Sequence, residues 1–485
     1  MLPITPRTTR MTRSFALAAL PLALLSGCMN LAPPYQQPAA PVPQAWTSLP
    51  ATASTTTPLN TGWRDFFVDD RLRGVVALSL AHNRDLRVAA LTIERAQAQY
   101  GITQAALLPS VNAAGGGSRV RTPGSTSTSG QSRIATQYNA NLAMTSYELD
   151  LFGRVRNLGD AALETYLATE ESQRSTQISL VASVAGAWLQ LAANMQRLQL
   201  ARGTLASQQK SYELVEKAHG LGAQSGLALA LARSTVETAR ADAANFDAVV
   251  EQNRNALALL VGTMPPPELM PRVETLVSAQ PASQLLAPPA DLPSSVLQQR
   301  PDVLAAEHAL QASNVNIGAA RAAFYPRITL TAAAGVSSNS LSNLFEGASK
   351  AWSFAPSISI PLFDGGVNRA NLRVAEVQRD IQIATYEKTL QTAFREVADV
   401  LAERRTLAER LAAQQALVAA TTRSFELSQA LFKNGSSSYL DVLDAQRSLY
   451  TAQQSLIGLL LTEQSNRLTL YKVLGGGWSE VSVGG

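Results

Sequence analysis

The sequence predicts a mainly α-helical chain with a β-barrel part, written as two similar halves. Three observations lead there: a long internal repeat, a helical run of unusual length, and short stretches of period two between helices. "RDLRVAALTIERAQAQYGITQAALLPSV" from Arg84 aligns with "PDVLAAEHALQASNVNIGAARAAFYPRI" from Pro301 at a constant offset of 217, which sets Asp85 on Asp302, Gly101 on Gly318 and Pro109 on Pro326. "GAQSGLALALARS" from Gly222 aligns with "GSSSYLDVLDAQR" from Gly435 at an offset of 213, setting Gly222 on Gly435, Ser225 on Ser438 and Leu227 on Leu440. Two matches in the same order mark a duplicated half and not a short solenoid unit.

Taken in order, residues 1–27 read as an export signal: Arg7, Arg10 and Arg13 precede the apolar run "FALAALPLALLSGC". "LLSGC" resembles a bacterial lipobox. The resemblance implies cleavage before Cys28, a diacylglycerol on its thiol and an acylated new amine. Met29 in place of an aspartate favours the outer membrane. Cys28 is the sole cysteine, so a disulfide within one chain is excluded. Residues 28–64, rich in Pro, Ala and Thr, form an extended segment from anchor to body. The first repeat occupies 65–262 with strands at about 108–151. A proline-rich linker covers 263–292, the second repeat 293–474 with strands at about 325–363, and a tail 475–485.

Each half reads as helix, two strands, long helix, helix. No glycine or proline interrupts the 68 residues from Val367 to Asn434, which as a helix make a rod of roughly 100 Å. Val377, Ile381, Leu390, Phe394, Val397 and Leu401 keep helical spacing and form an apolar seam. In the first half Gly159, Gly186 and Gly203 weigh against one uninterrupted rod. Between the helices the period becomes two. "WSFAPSISIPLF" puts Trp352, Phe354, Ile358 and Ile360 on one face and Ser353, Ser357 and Ser359 on the other. "PRITLTAAAGV" alternates Ile328 and Leu330 with Arg327, Thr329 and Thr331. "QYNANLAM" alternates Tyr138, Ala140, Leu142 and Met144 with Asn139 and Asn141. Apolar outside and small polar inside is the pattern of a transmembrane barrel strand. A soluble hairpin with one wet face shows the same alternation, but two hairpins, a lipobox and the polar loops "RTPGSTSTSGQSR" and "SSNSLSNLFEGASK" favour the barrel. Four strands cannot enclose a lumen, and an open sheet in lipid leaves backbone groups unpaired. Several copies must complete the sheet; three would give twelve strands.

Composition removes other classes. Charged residues are 16% of the chain; taking the three signal arginines from the formal +4 leaves +1, no footprint for nucleic acid. His82, His219 and His308 lie far apart, with no metal-ligand spacing, and no cofactor is expected. No interior run of about 20 apolar residues could cross a bilayer as a helix. No phosphate loop, dinucleotide fingerprint or nucleophile elbow occurs.

The motifs "LLSGC", "GWRDFF" at Gly62, "NRDLRVAAL" at Asn83, "YELDLFGRVR" at Tyr147, "RPDVLAAEH" at Arg300, "IGAARAAFYPRITLTA" at Ile317, "LDAQRSL" at Leu443 and "LYKVLGGGW" at Leu470 together resemble the outer membrane factors, the TolC-like family, and within it the OprM-type lipoproteins. The resemblance implies a homotrimer with a twelve-stranded barrel in outer-membrane lipid, continued by a helical coiled-coil barrel in the periplasm with the linker in its equatorial region. It implies a periplasmic adaptor protein and an inner-membrane pump of the resistance-nodulation-division type as partners, with export of drugs or other small toxic compounds and no enzymatic step. A duct for a type I protein secretion system shares this fold and is the alternative. A soluble trimeric coiled coil and a hydrolase using paired aspartates are weaker readings, because the first leaves the strands unexplained and the second lacks a base or metal set.

Asp441 and Asp444 stand three apart, on one face of a helix. The resemblance maps them onto the periplasmic constriction, where three copies would ring six mutually repelling carboxylates around one axis. Helix capping is the plainer reading, but the matching positions in the first half are Ala228 and Leu231, so a helix starts there without acids. The tip turns "HGLGAQSG" and "FKNGSSS" imply adaptor contacts at Gly222, Ser225, Gly435 and Ser438; turn and cap roles explain the same residues. Some TolC-like members lock this turn with a tyrosine and an arginine. The corresponding positions here are Phe432 and Ser437, which do not supply that chemistry.

Overall fold

The computed structural model describes residues 29–46, 61–128, 130–276 and 293–482. Cys28, the export signal and most of the proline-rich linker lie outside the described residues. The elements are α1 (Trp63–Phe66), α2 (Asp70–His82), α3 (Arg84–Ala105), β1 (Val111–Thr122), β2 (Arg133–Leu149), α4 (Arg154–Gly220), α5 (Gly226–Val261), α6 (Pro301–Ala322), β3 (Arg327–Ser338), β4 (Lys350–Ser359), α7 (Val367–Lys433) and α8 (Tyr439–Val473). Each half runs helix, two strands, long helix, helix. The residues divide into two compact units. The first holds the chain up to Pro38, Glu94–Ala168 and Ala306–Tyr386; the second holds Ala39–Ile93, Thr169–Ala305 and the chain from Glu387.

In the first unit the four strands form one antiparallel sheet in the order β1-β2-β3-β4. The extended segment lies along α6. Arg321 donates to the Leu31 carbonyl (3.2 Å), Asn314 to that of Pro33 (2.8 Å), and Tyr35 to the Glu307 carboxylate (3.2 Å). A Cβ at Gly318 would stand 2.6 Å from the Ala32 nitrogen, so the segment fits only against a bare backbone.

In the second unit the core gathers Trp63, Phe66 and Phe67 with Leu72, Val76, Val184, Trp188, Leu257, Leu468 and Tyr471. The Phe66 ring stacks on Tyr471 at 3.8 Å, and the Tyr471 hydroxyl donates to the Thr61 carbonyl at 2.7 Å. Burial pushes the Tyr471 phenol well above its ordinary pKa. The chain after α8 returns to this core: Trp63 and Arg64 donate backbone bonds to Ser479 and Glu480 (3.0 and 3.2 Å). The "GWRDFF" and "GGGW" motifs are therefore parts of one packing unit.

Two expectations change. α4 is a single helix of 67 residues that runs through Gly159, Gly186 and Gly203. Helix stability in a protein comes mainly from packing, which here outweighs the propensity of three glycines. α4 also carries an 18-residue apolar window, 61% of it buried. That window is apolar enough to cross a bilayer by composition. Its burial, with Val184 and Trp188 of α4 fully enclosed, gives the apolar residues a place in the core.

These placements predict opposite signs for two glycines. Gly262 ends α5 at φ +82°, and a Cβ there would stand 2.3 Å from the His82 carbonyl oxygen. Gly262→Ala is expected to lower the thermal midpoint, since the left-handed backbone alone costs about 1–2 kcal/mol. Gly203→Ala, inside α4 with nothing within 4 Å, is expected to raise it, by up to ~1 kcal/mol of helix propensity. Circular-dichroism melts of the two variants check this.

Candidate functional site

The sheet and the helical hairpin tips are the two candidate regions. Directly paired residues of an antiparallel sheet share a face, so the register reads the faces off. Leu142 and Met144 of β2 face Ala334 and Ala332 of β3, which face Trp352 and Phe354 of β4; Ile328 faces Ile358. The other face carries Asn139 and Asn141, then Thr329, Ser337, Ser353, Ser357 and Ser359. One face is apolar and the other small and polar, in the phase the sequence predicts. Among the described residues the apolar face has no cover: Trp352 is 81% exposed and Ile358 65%.

One irregularity keeps this phase. Met144 pairs with Ala332 and Tyr147 with Leu330, so Thr145 and Ser146 together oppose Thr331. This is a β-bulge, and Ser146 takes φ +54° within it. Below the bulge Tyr147 and Leu149 return to the apolar face and Glu148 to the polar one. Arg154 grips the nearly buried Glu148 carboxylate through two nitrogens, at 2.8 and 2.7 Å, and Arg327 does so at 2.6 Å. The cluster joins the ends of β2 and β3 to the start of α4. The alternation reading passed over it, because Glu148 reads there only as one more polar position.

At the tip, Gly222 and Gly435 hold φ +75° and +72°, conformations that suit glycine. Ser225 and Ser438 cap the helices that follow, accepting from the backbone of Ala228 (3.2 Å) and Asp441 (3.4 Å). The Asp441 carboxylate in turn accepts from the Ser438 backbone and hydroxyl at 3.0 and 2.9 Å, which completes a capping box. Asp441 thus has a structural role that Ala228 does not reproduce. Asp444 is exposed and paired with Arg447, one turn on. Arg447 was not singled out in the sequence, although the spacing of three on a helix signals such a pair.

Behind the tip Tyr439, Val442 and Leu443 pack with Val215 and Ala232, and the Phe432 ring lies 5.3 Å from Tyr439. Burial pushes the Tyr439 phenol up. Gln208 donates to Gln446 at 2.8 Å inside the packing, and Thr235 donates to Gln208 at 3.0 Å, so α4, α5 and α8 share one buried polar tie. Among the described residues no group of acids, histidines or cysteines is arranged to hold a metal ion.

The model of a family described as "Outer membrane efflux protein" matches residues 75–263 and 292–476. The chain is 46% identical over 474 residues to a protein of Pseudomonas putida named "Probable efflux pump outer membrane protein TtgC", with 97% of each chain covered. Among solved structures it is similar to a membrane protein from Pseudomonas aeruginosa, at 43% identity, TM-score 0.86, and coverage of 93% of this chain and 98% of that one. It is also similar to the open state of the Neisseria gonorrhoeae MtrE outer membrane channel, at 37% identity, TM-score 0.85, and coverage of 94% and 100%.

Proposed function

The chain belongs to the outer membrane efflux protein family, and from that premise we propose that three copies form the outer-membrane exit duct of a tripartite efflux system. The observation that carries this is the four-stranded sheet, apolar on one face and polar on the other, with neither edge paired among the described residues. Alone it can neither enclose a lumen nor satisfy its edges in lipid. Three copies supply twelve strands around a polar, unspecific lumen. The chain performs no reaction; a periplasmic adaptor and an inner-membrane pump of the resistance-nodulation-division type deliver drugs or other small toxic compounds to it. Deleting the gene is expected to raise cellular accumulation of an amphiphilic dye, and the intact chain to restore its exclusion. Unchanged accumulation, with a polypeptide lost from the medium, would assign the duct to protein secretion instead.

The tip turns at Gly222, Ser225, Gly435 and Ser438 meet the adaptor in this reading, and Asp444, with Asp441 beside it, lines the periplasmic mouth. Cys28 carries the lipid. Its neighbours Met29 and Asn30 lie against Gly153, four residues after the end of β2, a position that suits an anchor at the membrane rim. Cys28→Ser is expected to remove the mass of the acyl chains while the protein stays in the membrane fraction, because twelve strands bury far more apolar surface than a few acyl chains. Fractionation and intact mass check it; complete release to the periplasm would remove the barrel reading.

A further inference from the structure

We propose that β4 of one copy pairs with β1 of the next in a single antiparallel register, with Ile358 opposite Gly115, Phe354 opposite Arg119 and Trp352 opposite Arg121 of the neighbouring copy. The proposal rests on the duct reading and adds to it the residues that close the barrel.

The internal repeat supplies the template. Within the first half Val111 pairs with Met144, and within the second Ile328 pairs with Ile358. Val111 and Ile328 are repeat mates at the offset of 217, so Met144 and Ile358 hold the same place in their halves. The first half meets the second through β2 and β3: Met144 on Ala332, Leu142 on Ala334, Ala140 on Val336, Tyr138 on Ser338. Replacing each residue by its mate carries this seam to the open edges. It gives Ile358 on Gly115, Pro356 on Gly117, Phe354 on Arg119 and Trp352 on Arg121, all of one register.

Three features of the chain agree with it. Gly115, Gly117, Arg119 and Arg121 stand on the same face of the sheet as Met144, so each face of the sheet stays continuous across the seam. Residues 351–359 of β4 fall opposite 122–114 of the neighbour, wholly inside β1. The chemistry also fits. Ile358 gains a glycine to lie over, and Trp352 and Phe354, both exposed in the single chain, each gain a guanidinium for a cation–π contact. A slip of one residue would turn the apolar side chains to the lumen.

Disulfide scanning tests the register. In a Cys28→Ser background, a cysteine at Ser359 is combined with a second at Asn112, Ala114, Gly116 or Ser118. Directly opposed residues place their Cα atoms ~4.5–5.5 Å apart, within disulfide reach, while the next positions on that face stand at roughly 7–8 Å or more. Intermolecular cross-linking is expected to peak at Ala114. A peak at another position, or no cross-linking in a trimer of intact mass, overturns the proposal and leaves the duct reading standing; a monomer in mild detergent would remove that reading itself. Trp352→Ala, Arg121→Ala and the double variant give a second measure. Each single is expected to lower the trimer's melting point and the double to lower it no further than the larger single, whereas additive losses count against the pairing.

Discussion

Ile358→Arg is expected to reduce sharply the yield of heat-resistant trimer, while Ser357→Arg, one residue away, leaves it close to the native level. The two positions share a strand and differ in face. Ile358 pairs with Ile328 on the apolar side, and Ser357 pairs with Thr329 on the polar side. Ile358 lies one rung from the end of the ladder, where an arginine on the lipid face costs less than the ~2–4 kcal/mol per copy of mid-membrane, and three copies bear it together. At Ser357 the guanidinium reaches the wet lumen, where its cost is small and its effect falls on ion selectivity. Electrophoretic migration after graded heating in mild detergent measures both. Equal behaviour would show that the sheet's faces are not divided between lipid and water.

Asp444→Ala is expected to abolish most of the duct's cation preference without loss of trimer. Each copy brings Asp441, Asp444 and Arg447 to the start of α8, two negative charges and one positive. In the mouth proposed above, removing Asp444 cancels the net charge of these three groups, and a ring of one sign selects for the other. Leu231 occupies the same place in the first half, so the helix tolerates the loss. The exposed pair with Arg447 contributes little stability. Arg447→Ala should act in the opposite direction and raise cation preference. Asp441→Ala is a different experiment: it removes the carboxylate that accepts from the Ser438 backbone, breaks the capping box and lowers helix stability as well as charge. Asp441 is thus tied into the helix start by its capping box, whereas Asp444 has its exposed pair with Arg447. Single-channel recordings, with divalent cations applied from the periplasmic side, should show block of the native channel and its loss in Asp444→Ala. Unchanged selectivity and block would make Asp444 an ordinary surface acid.

Much of this architecture was legible because its signals are periodic. The alternation of Trp352, Phe354 and Ile358 with serines fixes both strand and face, and the unbroken run from Val367 marks α7 within a residue. What was not legible depends on one-residue geometry or on contacts between distant segments. Nothing in "MTSYELD" announces a bulge, since Thr and Ser suit a regular strand. The joint hold of Arg154 and Arg327 on Glu148 links residues almost 180 positions apart in the chain. At the tip the sequence raised capping as the plain reading of Asp441. Its distinction from Asp444 appears only once hydrogen bonds are assigned, because both are acids near one helix start.

The bulge at Ser146 has a consequence for any change in chain length. A sheet with lipid on one side and water on the other is read in steps of two, like a code with a frame. Ser146 is an inserted letter that shifts that frame once, just where β2 approaches the end of the sheet. The bulge absorbs that letter, so Tyr147 still meets Leu330 and Leu149 still meets Ile328. Deleting Ser146 would leave Thr145 alone opposite Thr331 and the faces below unchanged, whereas one further residue inserted there, with no second bulge to take it up, would turn Tyr147 and Leu149 to the lumen and Glu148 to the lipid, away from Arg154 and Arg327. The strand should therefore tolerate loss of Ser146 and reject a further single insertion.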